Sequence, residues 1–130
     1  MMTDDTSPAA TERTRDAATT YFEAWRDRDF GRLRAVLDPR VEFVGALGTA
    51  SGVDDCVAGL RRMADSVMTD LTLHARVVEG ADAITWFDLH TASTPPLPTV
   101  NWSHVEDGLI TRIRVVFDPR PLLAGGAPAF

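Results

Sequence analysis

Asp88 and His90 are the residues whose types and spacing come closest to a catalytic pair. They stand two positions apart in a segment that is typical of a β-strand, which places both side chains on one face, about 7 Å apart. At that distance the carboxylate could orient the imidazole, so that His90 acts as a general base near neutral pH. The alternative is a surface aspartate beside a histidine with ordinary hydrogen-bond partners.

Other nucleophiles and metal ligands are sparse. Cys56, the single cysteine, follows two aspartates that disfavour its thiolate, so we expect a buried residue and not a nucleophile. His74, His90 and His104 fall on three predicted strands without close ligand spacing, and alternation places His90 and His104 on opposite faces. We therefore expect no metal site and no cofactor.

Periodicity predicts the elements that position these residues. Apolar residues at helical spacing predict helices over 12–28, 30–37 and 53–67, with Asp29 as the N-cap of the second and Ser51 in a capping box before the third. Alternation predicts strands over 41–44, 71–77, 84–91, 99–105 and 110–118, with a glycine-rich loop after the first.

The order of these elements indicates one α+β domain over 12–123, between a disordered lead-in at 1–11 and a flexible tail at 124–130. Helices that precede an antiparallel meander pack on one face of a bent sheet. Such a sheet wraps around the first helix and leaves a cavity between them.

The tight turn at Glu106-Asp107-Gly108 predicts which side chains of the last two strands face that cavity. The inward set contains Asn101, Ser103, Ile113, Val115 and Phe117. The outward set contains Trp102, His104, Arg112 and Arg114. An outward tryptophan favours burial by a partner, so we expect a homodimer through this outer face, the alternative being a solvated face with a cation–π pair.

The strand over 84–91 has two possible registers. A turn centred near residues 95–96 points inward Ile84, Trp86, Asp88 and His90. A slip of one residue would reverse the two faces and bury Phe87 and Leu89 instead.

The first register predicts an apolar pocket with a few polar groups, which is typical of a small-ligand site. Tyr21 lies on the inward face of the first helix, and its hydroxyl needs a partner when it is buried. The ligand-binding candidates are Trp25, Phe43, Trp86, Ser103, Ile113, Val115 and Phe117. We expect a small hydrophobic molecule as the partner.

Charge and hydropathy argue against other partners. The net charge is −6, and an acidic surface repels phosphate backbones, so we expect no nucleic acid. No apolar run reaches the roughly 18 residues of a membrane span, and the N-terminus has no apolar signal-peptide core. We therefore expect a cytoplasmic protein without membrane contact.

Several short motifs resemble one superfamily. Residues 21–25 (YFEAW) with 28–30 (RDF) resemble the helix–turn–helix opening of ketosteroid isomerases and SnoaL-like polyketide cyclases, which often carry GDL at the second place. Residues 107–110 (DGLI) resemble their DGKI hairpin, and 114–119 (RVVFDP) resemble the RDYFD ending of limonene-epoxide-hydrolase-like members. The resemblance covers about 17–123, and it implies the cone-shaped nuclear-transport-factor-2-like fold, with three N-terminal helices on a strongly bent antiparallel sheet.

The resemblance also implies roles for single residues. Tyr21 falls where the isomerases carry an oxyanion-donating tyrosine, and Asn101 falls where they carry a protonated aspartate; an amide is always a donor. The isomerases' general base falls on Gly45, and the catalytic aspartate of the cyclases and epoxide hydrolases falls on Val115. The resemblance is therefore specific for the fold and weak for function, because this superfamily hosts many chemistries.

Three functions remain open. The first is a cofactor-independent isomerase, cyclase or epoxide-opening enzyme for a hydrophobic, oxygen-bearing substrate, in which Tyr21 and Asn101 polarise an oxygen while His90 with Asp88 moves a proton. The second is a small-ligand-binding protein without catalysis, which the missing carboxylates favour. The third is a dimeric accessory domain with a filled cavity.

Overall fold

A computed structural model of the chain describes residues 7–126, and most of its elements follow the predicted order. The helices are α1 (Pro8–Arg26), α2 (Phe30–Val36), α3 (Val53–Ser66) and α4 (Arg120–Ala124). The strands are β1 (Leu37–Gly45), β2 (Gly48–Ser51), β3 (Met68–Glu79), β4 (Asp82–Thr91), β5 (Leu97–Glu106) and β6 (Leu109–Val116). None of the helices in 7–126 is long and apolar enough to cross a membrane.

The strands form one mixed sheet in the order β2-β1-β6-β5-β4-β3. Neighbours are antiparallel except β1 and β6, which run parallel. The chain crosses from β1 through β2 and α3 to the far edge at β3, and the meander then returns to β1. The predicted α+β fold is confirmed, and this one parallel pair is the departure from a purely antiparallel sheet.

The ends of the chain differ from the predicted boundaries. α1 begins at Pro8, and Ser7 caps it by accepting a hydrogen bond from the Ala10 amide at 3.1 Å. Proline suits the first helical turn because the N–H groups of that turn have no acceptor within the helix, so none is lost. Residues 8–11 are therefore helical, whereas 1–6 of the predicted lead-in and 127–130 of the predicted tail lie outside the described residues.

Two short elements were not predicted, namely β2 and α4. The stretch predicted as a loop after β1 folds back as a hairpin, in which the Ser51 hydroxyl donates to the Glu42 carboxylate at 2.7 Å. The predicted capping box does not form, because Ser51 is engaged there and the N-cap of α3 is Gly52, without a side-chain hydrogen bond. The predicted cap of α2 does form, since Asp29 accepts from the Arg32 amide at 3.1 Å.

The inner face of the sheet packs against α1 and determines the register of β4. The side chains of β4 that face inward are Ala83, Thr85, Phe87 and Leu89, each at most 2% exposed. Phe87 meets Phe22 of α1 edge-on, with ring centroids 5.1 Å apart, in a geometry that favours aromatic pairs by about 0.5–1.5 kcal/mol beyond area burial.

This is the second of the two registers considered, so the first one is wrong. Thr85 lies opposite Asn101 and Leu89 opposite Leu97, which centres the turn two to three residues before the predicted place. The first register would bury Asp88 and His90 instead. Burial of charged groups without matched partners costs free energy. Both faces of β4 carry large apolar residues, so hydrophobicity alone did not decide the register.

The turn between α1 and α2 depends on an arginine in an unusual conformation. Arg28 has φ 55°, the left-handed region that glycine adopts without strain. This position corresponds to the glycine of the GDL motif, which explains the residue preference there. The Arg28 guanidinium donates to the main-chain carbonyls of Ala64 and Met68 and so ties the turn to the end of α3.

The left-handed backbone of Arg28 lowers the stability of the fold, whereas its two hydrogen bonds raise it. A pair of variants separates these two effects. Arg28→Ala loses both hydrogen bonds and keeps the left-handed strain, whereas Arg28→Gly loses the bonds and relieves the strain. We expect Arg28→Gly to be more stable than Arg28→Ala by about 1 kcal/mol, with wild type above the alanine variant by about 1–3 kcal/mol. Urea denaturation followed by circular dichroism measures both differences in stability. Equal stability of the two variants would contradict the claim that the left-handed conformation at position 28 is strained.

Candidate functional site

A cavity lies between α1, α3 and the inner face of the sheet. Its volume is about 30 Å³, which is small beside the roughly 300–1,000 Å³ of a pocket for a drug-sized ligand. The lining residues of the β1–β2 turn (45–47) and of the end of β6 (115–117) stay partly exposed, which places the mouth of the cavity between them.

Most of the residues predicted for the pocket reach the cavity or the core beside it. Those that line it are Tyr21, Trp25, Phe43, Asn101, Val115 and Phe117. Ser103 and Ile113 also point inward and are each 1% exposed, but they lie outside the lining. This agreement depends on a bulge at Thr111 in the pairing of β5 with β6. Without the bulge, the two-residue turn at 107–108 would pair Asn101 with Arg114 on the outer face.

Other lining residues were missed by the sequence reasoning. The side chains in this group are Ala46, Leu47, Leu60, Met63, Phe87, Leu89 and Thr99. Phe87 and Leu89 follow from the alternative register of β4, and Thr99 shares the alternation of Asn101. Leu60 lies on the apolar face of α3, so its helical spacing was the available signal.

Trp86, Asp88 and His90 lie on the outer face of the sheet, so the prediction that they line the pocket is wrong. Trp86 is 48% exposed. The Asp88 carboxylate lies 3.0 Å from Nε2 of His74 on β3, and Nε2 of His90 lies 2.7 Å from the Thr72 hydroxyl. These contacts stabilise the outer surface of β3 and β4, and the sheet separates them from the cavity.

Tyr21, Asn101 and Ser103 form the polar chain at the cavity. The Ser103 hydroxyl donates to the Asn101 carbonyl oxygen at 2.7 Å, and the Asn101 side chain is close enough to the Tyr21 hydroxyl to lower its pKa. All three residues are at most 2% exposed. The serine therefore orients the amide, and the amide in turn contacts the phenol.

The environment of Tyr21 keeps its hydroxyl protonated. Burial raises the pKa of Tyr21 well above its ordinary value of 10.0, because a phenolate would lose its hydration. The nearby Cys56 raises the pKa further, while the hydrogen bond with Asn101 acts in the opposite direction because it stabilises the phenolate. Tyr21 is thus a neutral donor at physiological pH.

Trp25 is both a lining residue and a structural link. Its indole Nε1 donates to the main-chain carbonyl of Leu60 at 2.9 Å, which joins α1 to α3. Its ring lies 6.2 Å from the ring of Tyr21, centroid to centroid. This packing fixes the helix position from which Tyr21 reaches the cavity.

Two lining positions, Gly45 and Val115, are those where the resembling enzymes carry carboxylates. A Cβ atom built on Gly45 would lie 2.8 Å from Cε1 of Phe43, closer than such contacts allow. The Phe43 ring therefore occupies the space that a side chain at position 45 would need. Among the described residues that line the cavity there is no aspartate, glutamate or histidine.

The remaining reactive groups do not assemble into a second site. Cys56 is buried, and burial raises its pKa to about 12, which favours the unreactive thiol. His90 and His104 share the outer face, contrary to the predicted opposite placement, and His104 contacts Asp82 at 2.8 Å. Within residues 7–126, no group of three histidine, cysteine or acidic side chains could hold a metal ion.

The comparison with known families agrees with this geometry. The model of the SnoaL-like domain matches residues 18–113, most of the described chain. The chain belongs to the SnoaL-like family. No curated protein matches this SnoaL-like chain.

Solved structures share the fold of this SnoaL-like domain. A protein from Kribbella flavida DSM 17836 superposes with a TM-score of 0.81 and 24% identity, over 92% of this chain and 95% of that one. An NTF2-like protein of unknown function from Cytophaga hutchinsonii superposes with a TM-score of 0.76 and 25% identity, over 85% of this chain and 94% of that one. An LEH-like epoxide hydrolase from M. tuberculosis superposes with a TM-score of 0.74 and 23% identity, over 88% of this chain and 90% of that one.

The SnoaL-like domain has a single tyrosine, so its ionisation can be read directly. We expect no tyrosinate absorbance from the native protein at pH 10, because the pKa of Tyr21 is raised. The unfolded chain loses this proton near 10.0 and the folded chain keeps it, so stability should fall as pH rises above 10.

A spectrophotometric pH titration with parallel circular dichroism measures both effects. The tyrosinate signal should appear together with unfolding, and the same titration in denaturant should give a midpoint near the ordinary 10.0. A native titration with that ordinary midpoint would contradict the burial of the phenol.

Proposed function

We propose that this SnoaL-like domain binds a small apolar molecule that carries one oxygen acceptor, such as a ketone or an epoxide. The observation that supports this is the pair of Tyr21 and Asn101 at an otherwise largely apolar cavity. A small-ligand site commonly combines an apolar lining with a few placed donors.

The hydrogen-bond directions support a role for the Tyr21 hydroxyl as the donor to that oxygen. The carbonyl oxygen of Asn101 accepts from Ser103, and the Asn101 side chain lowers the pKa of Tyr21, as an amide N–H directed at the phenolic oxygen does. An amide that donates to the phenolic oxygen leaves the O–H of Tyr21 to point at a ligand. Such a donor in an apolar cavity binds a ligand oxygen well, because water competes poorly there.

The lining favours binding over turnover. Isomerisation, cyclisation and epoxide opening each require a proton to be moved or a nucleophile to be activated, usually by a positioned base. Tyr21, with its raised pKa, is a poor base, and Asp88 and His90 lie on the other face of the sheet. We therefore place the binding protein ahead of the enzyme.

An enzyme is the second candidate, because the same donor pair would stabilise a developing oxyanion. Isomerase-like, cyclase-like and epoxide-hydrolase-like proteins are among the structural neighbours. Without a base in the lining, the proton would have to move through water or the substrate itself.

The size of the cavity limits the first ligands to test. Its volume is about 30 Å³, so a ring-sized ligand must displace side chains at the mouth, where Leu47 and Phe117 are only half-buried. Compact rings that differ in one oxygen are therefore the best probes.

We expect cyclopentanone to shift the indole N–H resonance of Trp25 in NMR titrations, and cyclopentane to bind more weakly. Tyr21→Phe removes the donor with little change in volume and should weaken cyclopentanone binding about tenfold, equivalent to about 1.4 kcal/mol. Asp88→Asn on the outer face is the matched control and should leave binding unchanged.

Two outcomes would contradict the proposal. Equal binding of cyclopentanone to wild type and to Tyr21→Phe would remove the role of the donor pair. Hydrolysis of cyclopentene oxide above the buffer rate, lost in Tyr21→Phe, would favour the enzyme over the binding protein.

A further inference from the structure

The inner face of β4 and β5 carries several buried hydroxyl and amide groups, and the protein itself uses acceptors on two of them. The Asn101 carbonyl oxygen accepts from Ser103 at 2.7 Å, and the Thr85 hydroxyl oxygen accepts from Nε of Arg76 at 3.0 Å. Neither Ser103 nor Thr85 belongs to the cavity lining. These groups are therefore engaged in the core and are not the ones that a ligand meets.

Thr99 differs from these residues, because it lines the cavity and keeps an acceptor free. Its hydroxyl donates to the main-chain carbonyl of Leu97 at 2.9 Å, which commits its proton. No group within residues 7–126 donates to the Thr99 oxygen in return. A hydroxyl oxygen has two acceptor lone pairs, so this buried oxygen, in a residue that is 1% exposed, is an acceptor that still lacks a donor.

The register places Thr99 between the donor Tyr21 and the mouth of the cavity. Thr99 stands two residues before Asn101, the neighbour of Tyr21, which is about 7 Å along β5. Thr99 is also next to Val100, which pairs with Val116 at the end of β6, and the mouth opens beside that end. A ligand whose oxygen reaches Tyr21 therefore extends its outer side past Thr99.

We propose that Thr99 is a specificity-determining residue that accepts a hydrogen bond from a hydroxyl group of the ligand. This inference rests on the proposed function, in which Tyr21 donates to a ligand oxygen. Tyr21 needs an acceptor and Thr99 needs a donor, so the two residues recognise two different groups. The spacing of about 7 Å along the strand separates these groups. The ligand class is then a compact ring that carries a carbonyl and a hydroxyl on non-adjacent carbons.

The apolar surroundings of Thr99 make this second contact selective. Phe87 pairs with Thr99 across β4 and β5, and Leu89 and Phe117 line the same part of the cavity. A hydroxyl group that enters such surroundings loses its hydration, so it binds well only where an acceptor meets it. A ligand without a donor at that place gains nothing from the Thr99 oxygen.

NMR titrations of the wild-type domain with paired ligands test the proposal without any substitution. We expect 3-hydroxycyclopentanone to bind about fivefold more tightly than cyclopentanone, as one added hydrogen bond of ordinary strength provides. 3-Fluorocyclopentanone carries an atom of similar size that cannot donate, and it should bind no more tightly than cyclopentanone. The indole N–H resonance of Trp25 reports each titration. If the hydroxyketone has no advantage over the other two ketones, the inference is wrong.

Variants assign this advantage to the Thr99 oxygen, and each is judged by the ratio of the two affinities, in which effects common to both ketones cancel. Thr99→Val should remove the fivefold preference for the hydroxyketone, whereas Thr99→Ser should retain it. Thr111→Val is the matched control, because Thr111 also donates to a main-chain carbonyl, that of His104 at 3.3 Å, but lies outside the lining. The control should keep the preference. A preference that survives Thr99→Val would overturn the proposal.

The proposed function and this inference fail in different ways. Tyr21→Phe should weaken both ketones about tenfold and keep their ratio near fivefold. If Tyr21→Phe changes neither affinity, or if neither ketone binds wild type, the proposed function fails and the inference fails with it. If Tyr21→Phe has its expected effect but wild type does not prefer the hydroxyketone, only the role of Thr99 is overturned.

Discussion

The contact of Phe22 with Phe87 is the interaction on which the cavity and the outer surface both depend. It fixes β4 against α1, and strand alternation then assigns every other side chain of β4 to a face. Phe87 and Leu89 become cavity lining, while Asp88 and His90 become surface. A one-residue shift at this contact would exchange an apolar pocket for one that contains a carboxylate and an imidazole.

The sequence predicted those parts of the molecule that short-range rules determine. The inward placement of Asn101 followed from counting back through the predicted turn at 106–108. It holds because a bulge at Thr111 makes up for a turn that is one residue shorter. The connection from β4 to β5 is longer and contains two prolines, so its centre could not be located by counting. The position of β4 depended instead on which apolar face packs better against α1, and that comparison needs three-dimensional contacts. The placement of Tyr21 and Asn101 at the cavity was predicted, whereas the hydrogen bond from Ser103 to Asn101 required the structure.

The cavity shows how a shared fold can retain one part of a chemical site without another. The side chains of Tyr21 and Asn101 lie in the core, and the Asn101 carbonyl oxygen accepts from Ser103, so these polar groups belong to the packed interior of the domain. The same fold forms here with glycine at position 45 and valine at position 115. Fold similarity to enzymes therefore carries little information about activity.

The close approach of Phe43 to Gly45 has a consequence for how this chain can change through mutation. Any side chain at position 45 meets the Phe43 ring, so that ring must shift before residue 45 can carry a side chain. The rotamer of Phe43 and the residue at position 45 are therefore coupled, and a designed carboxylate at position 45 should be tested together with a smaller residue at position 43.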